Sequence, residues 1–219
     1  MINVTFIDSM GTDLSVVNAA RTSFGKKSQW HYPNDDDTQR TLSDRDTKLV
    51  RYLASHKHTS PFGHCFASFH IKSSVVVARQ LVKHKFLRWN EISRRYVADE
   101  PQYDIPKLRK ATKDKKQGSG DLINNPMLDA VIQQSYIEST KQYKYLLAMG
   151  VCEEQARGIL PLNHFTEWYW SGSLDAFADM CNLRCSGDTQ EETRLVANGI
   201  CNIMKKLFPV SWFALRLEK

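Results

Sequence analysis

The stretch from Arg79 to Arg95 is the part of the chain best supplied for chemistry. It holds six Lys or Arg (79, 83, 85, 88, 94 and 95) against one acid, Glu91, and interleaves them with Phe86 and Trp89, with Tyr96 just beyond. Cations this crowded repel one another unless an anion sits among them. Phosphate is the anion that guanidinium forks and ammonium groups grip best. On a helix, Arg79 and Lys83 would share one face, and Gln80 and His84 the neighbouring one. Two readings follow: a site for a phosphorylated small molecule, or a basic, aromatic stretch that lies along nucleic acid.

The elements that must position this block can be read from periodicity and turn chemistry. Met1 to Asp8 reads as a first strand, and Asp13 to Arg21 as a short helix with Asp13 as its cap. Residues 26–41 are polar and turn-rich. Ser43-Asp44-Arg45-Asp46 opens a helix that carries Leu49, Val50, Leu53 and Ala54 on one face and ends near His56 to His58, before the Ser60-Pro61-Phe62-Gly63 turn. Ala67, Phe69 and Ile71 alternate with Ser68, His70 and Lys72, the period of a strand. Val75 to His84 reads as a helix, as do roughly 127–148, 174–185 and 189–207. Phe165 to Trp170 is an aromatic strand. Helices and strands intermix without βαβ repeats, so the expectation is one α+β domain over residues 1–219, with a mixed or antiparallel sheet packed by helices. Residues 107–121 hold six Lys or Arg against two Asp and end in Gly-Ser-Gly, which predicts a mobile basic surface loop.

Composition and missing motifs exclude several classes. At 219 residues, 42% hydrophobic and 25% charged, the chain is neither disordered nor low-complexity, and its net charge is +6. It has no apolar run long enough for a membrane span, and no basic region ahead of its N-terminal apolar run. Five cysteines at irregular spacings argue against a disulfide framework and for a reducing, cytoplasmic setting. Cys181 and Cys185 share a helix face without a second ligand pair, so core packing is expected of them and no metal site. None of the five cysteines sits in a P-C-x-x-H-like context that would mark a nucleophilic thiolate. There is no G-x-G-x-x-G after a strand, no P-loop, no G-x-S-x-G elbow and no H-E-x-x-H helix. Any nucleotide must be held by side chains and helix ends.

The residues themselves go further. Arg79-Gln80, Lys83-His84-Lys85, Asn90-Glu91, Ser93 and Arg95-Tyr96 together resemble the signature of the flavin-dependent thymidylate synthases, R-Q-x-x-R-H-R-x-x-S-x-N-E-x-S-x-R-Y, with its internal spacing intact. Asn18-Ala19-Ala20-Arg21-Thr22-Ser23-Phe24 is similar to that family's A-A-R-x-S-[FY] element. His58-Thr59-Ser60-Pro61-Phe62-Gly63-His64 is similar to its H-x-[ST]-P-F-E-H turn. Ala156 to Pro161 resembles A-R-x-[VIL]-L-P, and Asn182-Leu183-Arg184 its N-L-R element. The sequence departs from the pattern at Lys83 and Lys85 in place of Arg, Arg88 in place of Ser, Gly63 in place of Glu, and Asp188 in place of His. Ser173, Asp175 and Asp179 fall where the family has N-x-R and then Asn. Gln190 and Glu192 stay in register.

The resemblance implies a homotetramer with active sites at subunit interfaces. The reaction implied is conversion of dUMP to dTMP, with methylenetetrahydrofolate as carbon donor and FAD, reduced by NADPH, as hydride source. It implies dUMP contacts at Gln80, Leu81, Val82, Lys83, Glu91, Ile92, Ser93, Arg94, Arg95, Arg157 and Arg184. It implies FAD contacts at His58, Ser60, Lys83, His84, Lys85, Glu91, Ser173, Asp175 and Asp179. Arg184 takes the catalytic role: a fixed cation beside uracil lowers the pKa at N3 and makes C5 more nucleophilic without a cysteine adduct. Ser93 has no activating His and acid beside it, so a binding role is assigned. Nucleic acid and membranes are not expected partners. Two alternatives remain at this stage, a same-fold enzyme making another 5-substituted pyrimidine such as hydroxymethyl-dUMP, and a non-catalytic homologue that binds nucleic acid.

Overall fold

The computed structural model describes residues 1–33, 40–112 and 119–216. Four strands, β1 (Asn3–Met10), β2 (Phe66–Ser74), β3 (Leu87–Glu91) and β4 (Phe165–Ser173), form one sheet in the order β1-β2-β4-β3, every neighbouring pair antiparallel. The expected alternation holds: Ala67, Phe69, Ile71 and Ser73 of β2 and Thr166, Trp168, Trp170 and Gly172 of β4 are buried. The opposite face stays wet, with Glu167 lying 3.2 Å from both His70 Nε2 and Lys72 Nζ.

Among the described residues, eight helices pack around the sheet: α1 (Asp13–Thr22), α2 (Asp44–Ser55), α3 (Val75–Leu81), α4 (Pro126–Ala148), α5 (Glu153–Ala156), α6 (Leu174–Arg184), α7 (Glu191–Leu207) and α8 (Pro209–Leu215). The core fills the space between the buried sheet face and α1, α2, α3, α6, α7 and α8. Phe69 and Trp170 meet the ring of Phe177 edge-on, at centroid separations of 5.1 and 5.6 Å. A smaller cluster of Tyr143, Ala156 and Leu160 seats α4 against α5 and the turn Arg157–Ile159. No helix among the described residues is long and apolar enough to cross a membrane.

Two local expectations are corrected. Asp13 is not the cap of its own helix: Thr12 holds that position, in a reciprocal arrangement with Ser15. The buried Asp13 carboxylate instead accepts the backbone N–H groups of Val210 (3.0 Å) and Ser211 (2.8 Å), where α8 would otherwise begin with unpaired donors. The helix expected over Val75–His84 stops at Leu81, because the chain must turn through Phe86, at φ 65°, to enter β3. β3 itself was hidden in the basic block. Finally, the basic loop is pinned at its base. Lys110 and Asp121 are joined through the backbone, as are Leu108 and Ile123, and Arg109 pairs with Glu191 and, at 3.2 Å, with Glu192. Its residues 113–118 lie outside the described residues.

Candidate active site

A cavity of about 760 Å³ opens between α3, β3 and the segment that leads from α5 into β4. Arg79 and Val82 come from the α3 side, Trp89 and Glu91 from β3, Ile92 to Arg95 from the turn after it, Arg157 and Gly158 from the short turn after α5, and His164 and Thr166 from the start of β4. The volume lies in the range of small-molecule sites.

Glu91 is fixed at both oxygens. Thr166 Oγ1 donates to Oε1 at 2.7 Å, and the Trp89 indole N–H donates to Oε2 at 3.1 Å. Trp89 is itself stacked on Trp168, centroids 4.4 Å apart, so the β3–β4 register sets the carboxylate's place. Arg94 is tied to the Asp99 carbonyl at 2.9 Å, with the Asp99 carboxylate 3.7 Å away. By contrast, Arg79, Arg95 and Arg157 have no ion pair among the described residues. Arg95 Nε reaches only Ser93 Oγ (3.3 Å), and Arg157 Nε only the Glu154 carbonyl (3.2 Å). Three uncompensated guanidinium groups around one polar cavity make an anion site.

His164 closes the inner wall. Its Nδ1 donates to the Pro161 carbonyl at 2.7 Å, which leaves Nε2 as the free ring nitrogen. Burial pushes its pKa down, and the charge of Arg94 adds to this against the Pro161 bond. His164, Thr166 and Arg94 also border a second, polar cavity of about 280 Å³ that holds Lys72, Glu100 and Glu167.

The other face of α3 carries a second cluster. Arg184, at the end of α6, donates from Nε to His84 Nε2 at 3.0 Å and from Nη2 to the Gln80 carbonyl at 3.4 Å. Gln80 donates to Gln190 and accepts from Thr193 at 3.0 Å; Gln190 donates to Glu192 at 2.9 Å, and Glu192 pairs with Arg109. A continuous chain of hydrogen bonds therefore runs from the base of the basic loop to Arg184. Burial, then the adjacent guanidinium, lowers the His84 pKa to about 4, so this imidazole is neutral and accepts from Arg184.

The structure thus brings Val82, Glu91, Ile92, Ser93, Arg94, Arg95 and Arg157 into one cavity and places Gln80, His84 and Arg184 in the adjoining network. Leu81 is fully buried in the core, so only its main chain can meet a ligand. Lys83 and Lys85 are exposed on the turn between α3 and β3. His58 and Ser60 lie on the exposed turn after α2, Ser173 and Asp175 at the start of α6 and Asp179 midway along it; none of these five lines the cavity of the same chain. Asp179 is raised by burial and by the charge of Asp175, whose buried Oδ1 has no hydrogen-bond partner. Arg79, Trp89, His164 and Thr166 were not among the expected site residues. Arg79 was in plain view in the basic block, whereas His164 and Thr166 gave no local signal.

An antiparallel α+β fold whose cavity gathers unpaired arginines around an anchored carboxylate defines an enzyme-like binder of anionic, nucleotide-sized ligands. The family model described as thymidylate synthase complementing protein matches residues 5–210. A flavin-dependent thymidylate synthase of Thermus thermophilus is 37% identical over 213 residues, covering 96% of this chain and 74% of that protein. One from Kosmotoga olearia is 35% identical over 216 residues, covering 96% and 88%. Among solved structures, the UMP/dUMP methylase PolB from Streptomyces cacaoi, bound with 5-Br dUMP, superposes with a TM-score of 0.80 at 26% identity, covering 98% of this chain and 94% of that one. The chain belongs to the flavin-dependent thymidylate synthase family, an enzyme family.

Proposed function

We propose that this protein methylates dUMP to dTMP, taking the carbon from methylenetetrahydrofolate and a hydride from FAD reduced by NADPH. The observation that carries this reading is the cavity in which Arg79, Arg95 and Arg157 stand unpaired around Glu91 and Ser93. In this reading Arg95 and Arg157 hold the nucleotide phosphate as bidentate donors. Glu91 and Ser93, each already positioned by neighbours, orient the base and sugar. Arg184 stabilises negative charge on the uracil ring, and its fixed orientation comes from neutral His84 and the Gln80 carbonyl.

The residues assigned to FAD fit the group in parts that differ in chemistry. Lys83 and Lys85, exposed cations beside His84, suit its diphosphate. Asp175 cannot take phosphate; its orphaned Oδ1 needs a donor, such as a ribose hydroxyl or an adenine amine. When bound and reduced, the flavin supplies the hydride equivalent. His58 and Ser60 complete this set across a subunit boundary, in a homotetramer whose interfaces use the apolar side chains that α4 leaves exposed, Met127, Val131, Ile137 and Tyr145 among them. Residues 1–219 act as one domain, in the cytoplasm.

The test is product analysis. Purified protein incubated with dUMP, methylenetetrahydrofolate, NADPH and FAD should yield dTMP, identified by mass. Recovery of hydroxymethyl-dUMP, or a colourless protein whose only ligand is nucleic acid with steeply salt-dependent affinity, would refute the reading.

A further inference from the structure

Arg109 faces two carboxylates and needs only one of them. Its Nη2 donates to Glu191 and, at 3.2 Å, to Glu192. The Glu191 side chain is 35% exposed and can balance the guanidinium at little cost, whereas that of Glu192 is 10% exposed. A second buried charge beside a cation already paired is costly unless it has another task. The cost is visible next door, where burial and then the charge of Glu192 push the Asp104 carboxyl up. Glu192 nonetheless stays charged. Burial opposes its ionisation, but its own backbone N–H at the start of α7, the Gln190 amide and Arg109 together hold its pKa below the ordinary value.

A carboxylate can only accept, and this gives the chain of hydrogen bonds a direction. Glu192 Oε2 takes Gln190 Nε2 at 2.9 Å, so Gln190 turns its Oε1 towards α3. Gln80 then offers Nε2 to that oxygen, which leaves its own Oε1 for the hydroxyl of Thr193 at 3.0 Å. Both polar atoms of the Gln80 side chain are thereby tied to α7 and the residue before it. The backbone carbonyl of this same Gln80 is one of the two supports of Arg184, at 3.4 Å from Nη2; the other is His84, at 3.0 Å from Nε. Neither Arg109 nor Glu192 borders the cavity lined by Glu91 and Arg157. With a neutral amide in place of the Glu192 carboxylate, Gln190 could present either end, and the direction of the chain would be lost.

We propose that Arg109 is a positioning residue for Arg184. By pairing with Glu192 it sets the direction of the Gln190 and Gln80 amides, and so fixes the end of α3 on which the Arg184 guanidinium rests. A side chain at the base of the basic loop thus governs the aim of a cation on the far side of α7. The catalytic task of Arg184 rests on the function proposed above; its seating by Arg109 does not.

The test compares Arg109→Met, Arg109→Lys, Glu192→Gln and Glu191→Gln in the full-length chain. The first readout, the His84 titration followed by NMR, needs no turnover. The wild-type value is about 4, set by burial and then by Arg184. A guanidinium that has lost its seat no longer opposes the His84 proton. Arg109→Met and Glu192→Gln should therefore raise the value by about half a pH unit or more, Arg109→Lys by less, and Glu191→Gln not at all. The second readout is dTMP formation. Arg109→Met should lower kcat several-fold with KM for dUMP within about twofold, and Arg109→Lys should recover most of the loss. The double variant Arg109→Met/Glu192→Gln should be no slower than the slower single one, because both act through one chain. A role confined to clamping the loop onto α7 predicts instead that Glu191→Gln, which cuts the other ion pair, does as much as Glu192→Gln. Equal effects of those two, or an unmoved His84 titration in folded Arg109→Met or Glu192→Gln protein, overturns the proposal. Should Arg109→Met not fold, Glu192→Gln against Glu191→Gln makes the same comparison. If wild-type protein forms no dTMP, the functional reading falls, while the titration still decides what seats Arg184.

Discussion

Protonation of His84 should disconnect Arg184, and the size of the effect can be worked out from its surroundings. The folded-state pKa is about 4 against an ordinary 6.5, caused by burial and then by Arg184. At about 1.4 kcal/mol per pH unit this corresponds to about 3 kcal/mol, which screening of a half-exposed group reduces to roughly 1–2 kcal/mol. The sign follows from which state takes up the proton first. As pH falls below 6.5 the unfolded chain binds a proton at this position and the folded protein does not, so stability is full above 6.5, declines towards pH 4 and then levels. Urea denaturation of wild type and His84→Gln across this window measures it. Glutamine keeps an acceptor for Arg184 and cannot titrate, so the variant should lack this part of the decline. An NMR titration supplies the site-specific check. A His84 imidazole that titrates near 6.5, or identical pH profiles for wild type and variant, would refute the argument.

Glu192→Gln removes the charge that joins Arg109 to the Gln190–Gln80 chain. It should lower kcat several-fold with little change in KM for dUMP, as steady-state kinetics will show, because Glu192 touches the network and not the cavity. Arg157→Ala should weaken dUMP binding by roughly ten- to a hundred-fold, in line with about 1.5–3 kcal/mol for a hydrogen bond to a charged group; isothermal titration reads this directly. Asp13→Ala leaves two backbone donors at the start of α8 without their acceptor. It should cost about 2 kcal/mol or more and lower the melting temperature measured by calorimetry. Lys83→Ala should reduce flavin occupancy, read from visible absorbance, with an unchanged circular dichroism spectrum.

What the sequence made legible was whatever is periodic or local. The alternation in Phe66–Ser74, the Ser43 cap and the apolar face of Asp44–Ser55 each rest on neighbours within a few residues, and each matches the structure. β3 was missed because its pattern, Leu-Arg-Trp-Asn-Glu, sits inside a charge-rich block and its strand character comes from Trp89 stacking on Trp168. Asp13 looked like a local cap, and its true partners lie almost two hundred residues away. The candidate site shows the same division. Glu91, Ser93 and Arg95 were legible because they share one segment, and Arg157 because its own motif marked it. His164 was not, since only the path of the chain into β4 brings it to the cavity wall.

Among the described residues, β3 joins the sheet through β4 alone, over five residues, and its far side has no strand beside it. The wall that carries Glu91 is therefore the outermost rung of the ladder, held sideways by Trp89 against Trp168 and Trp170, the Thr166–Glu91 hydrogen bond and one row of amide bonds. Such a rung can peel away and re-form while the β2–β4 centre stays closed, so amide protons of 87–91 should exchange with solvent well before those of 67–73. Guest entry then needs no separate door: the lining of the chamber is itself the part of the fold least costly to lift.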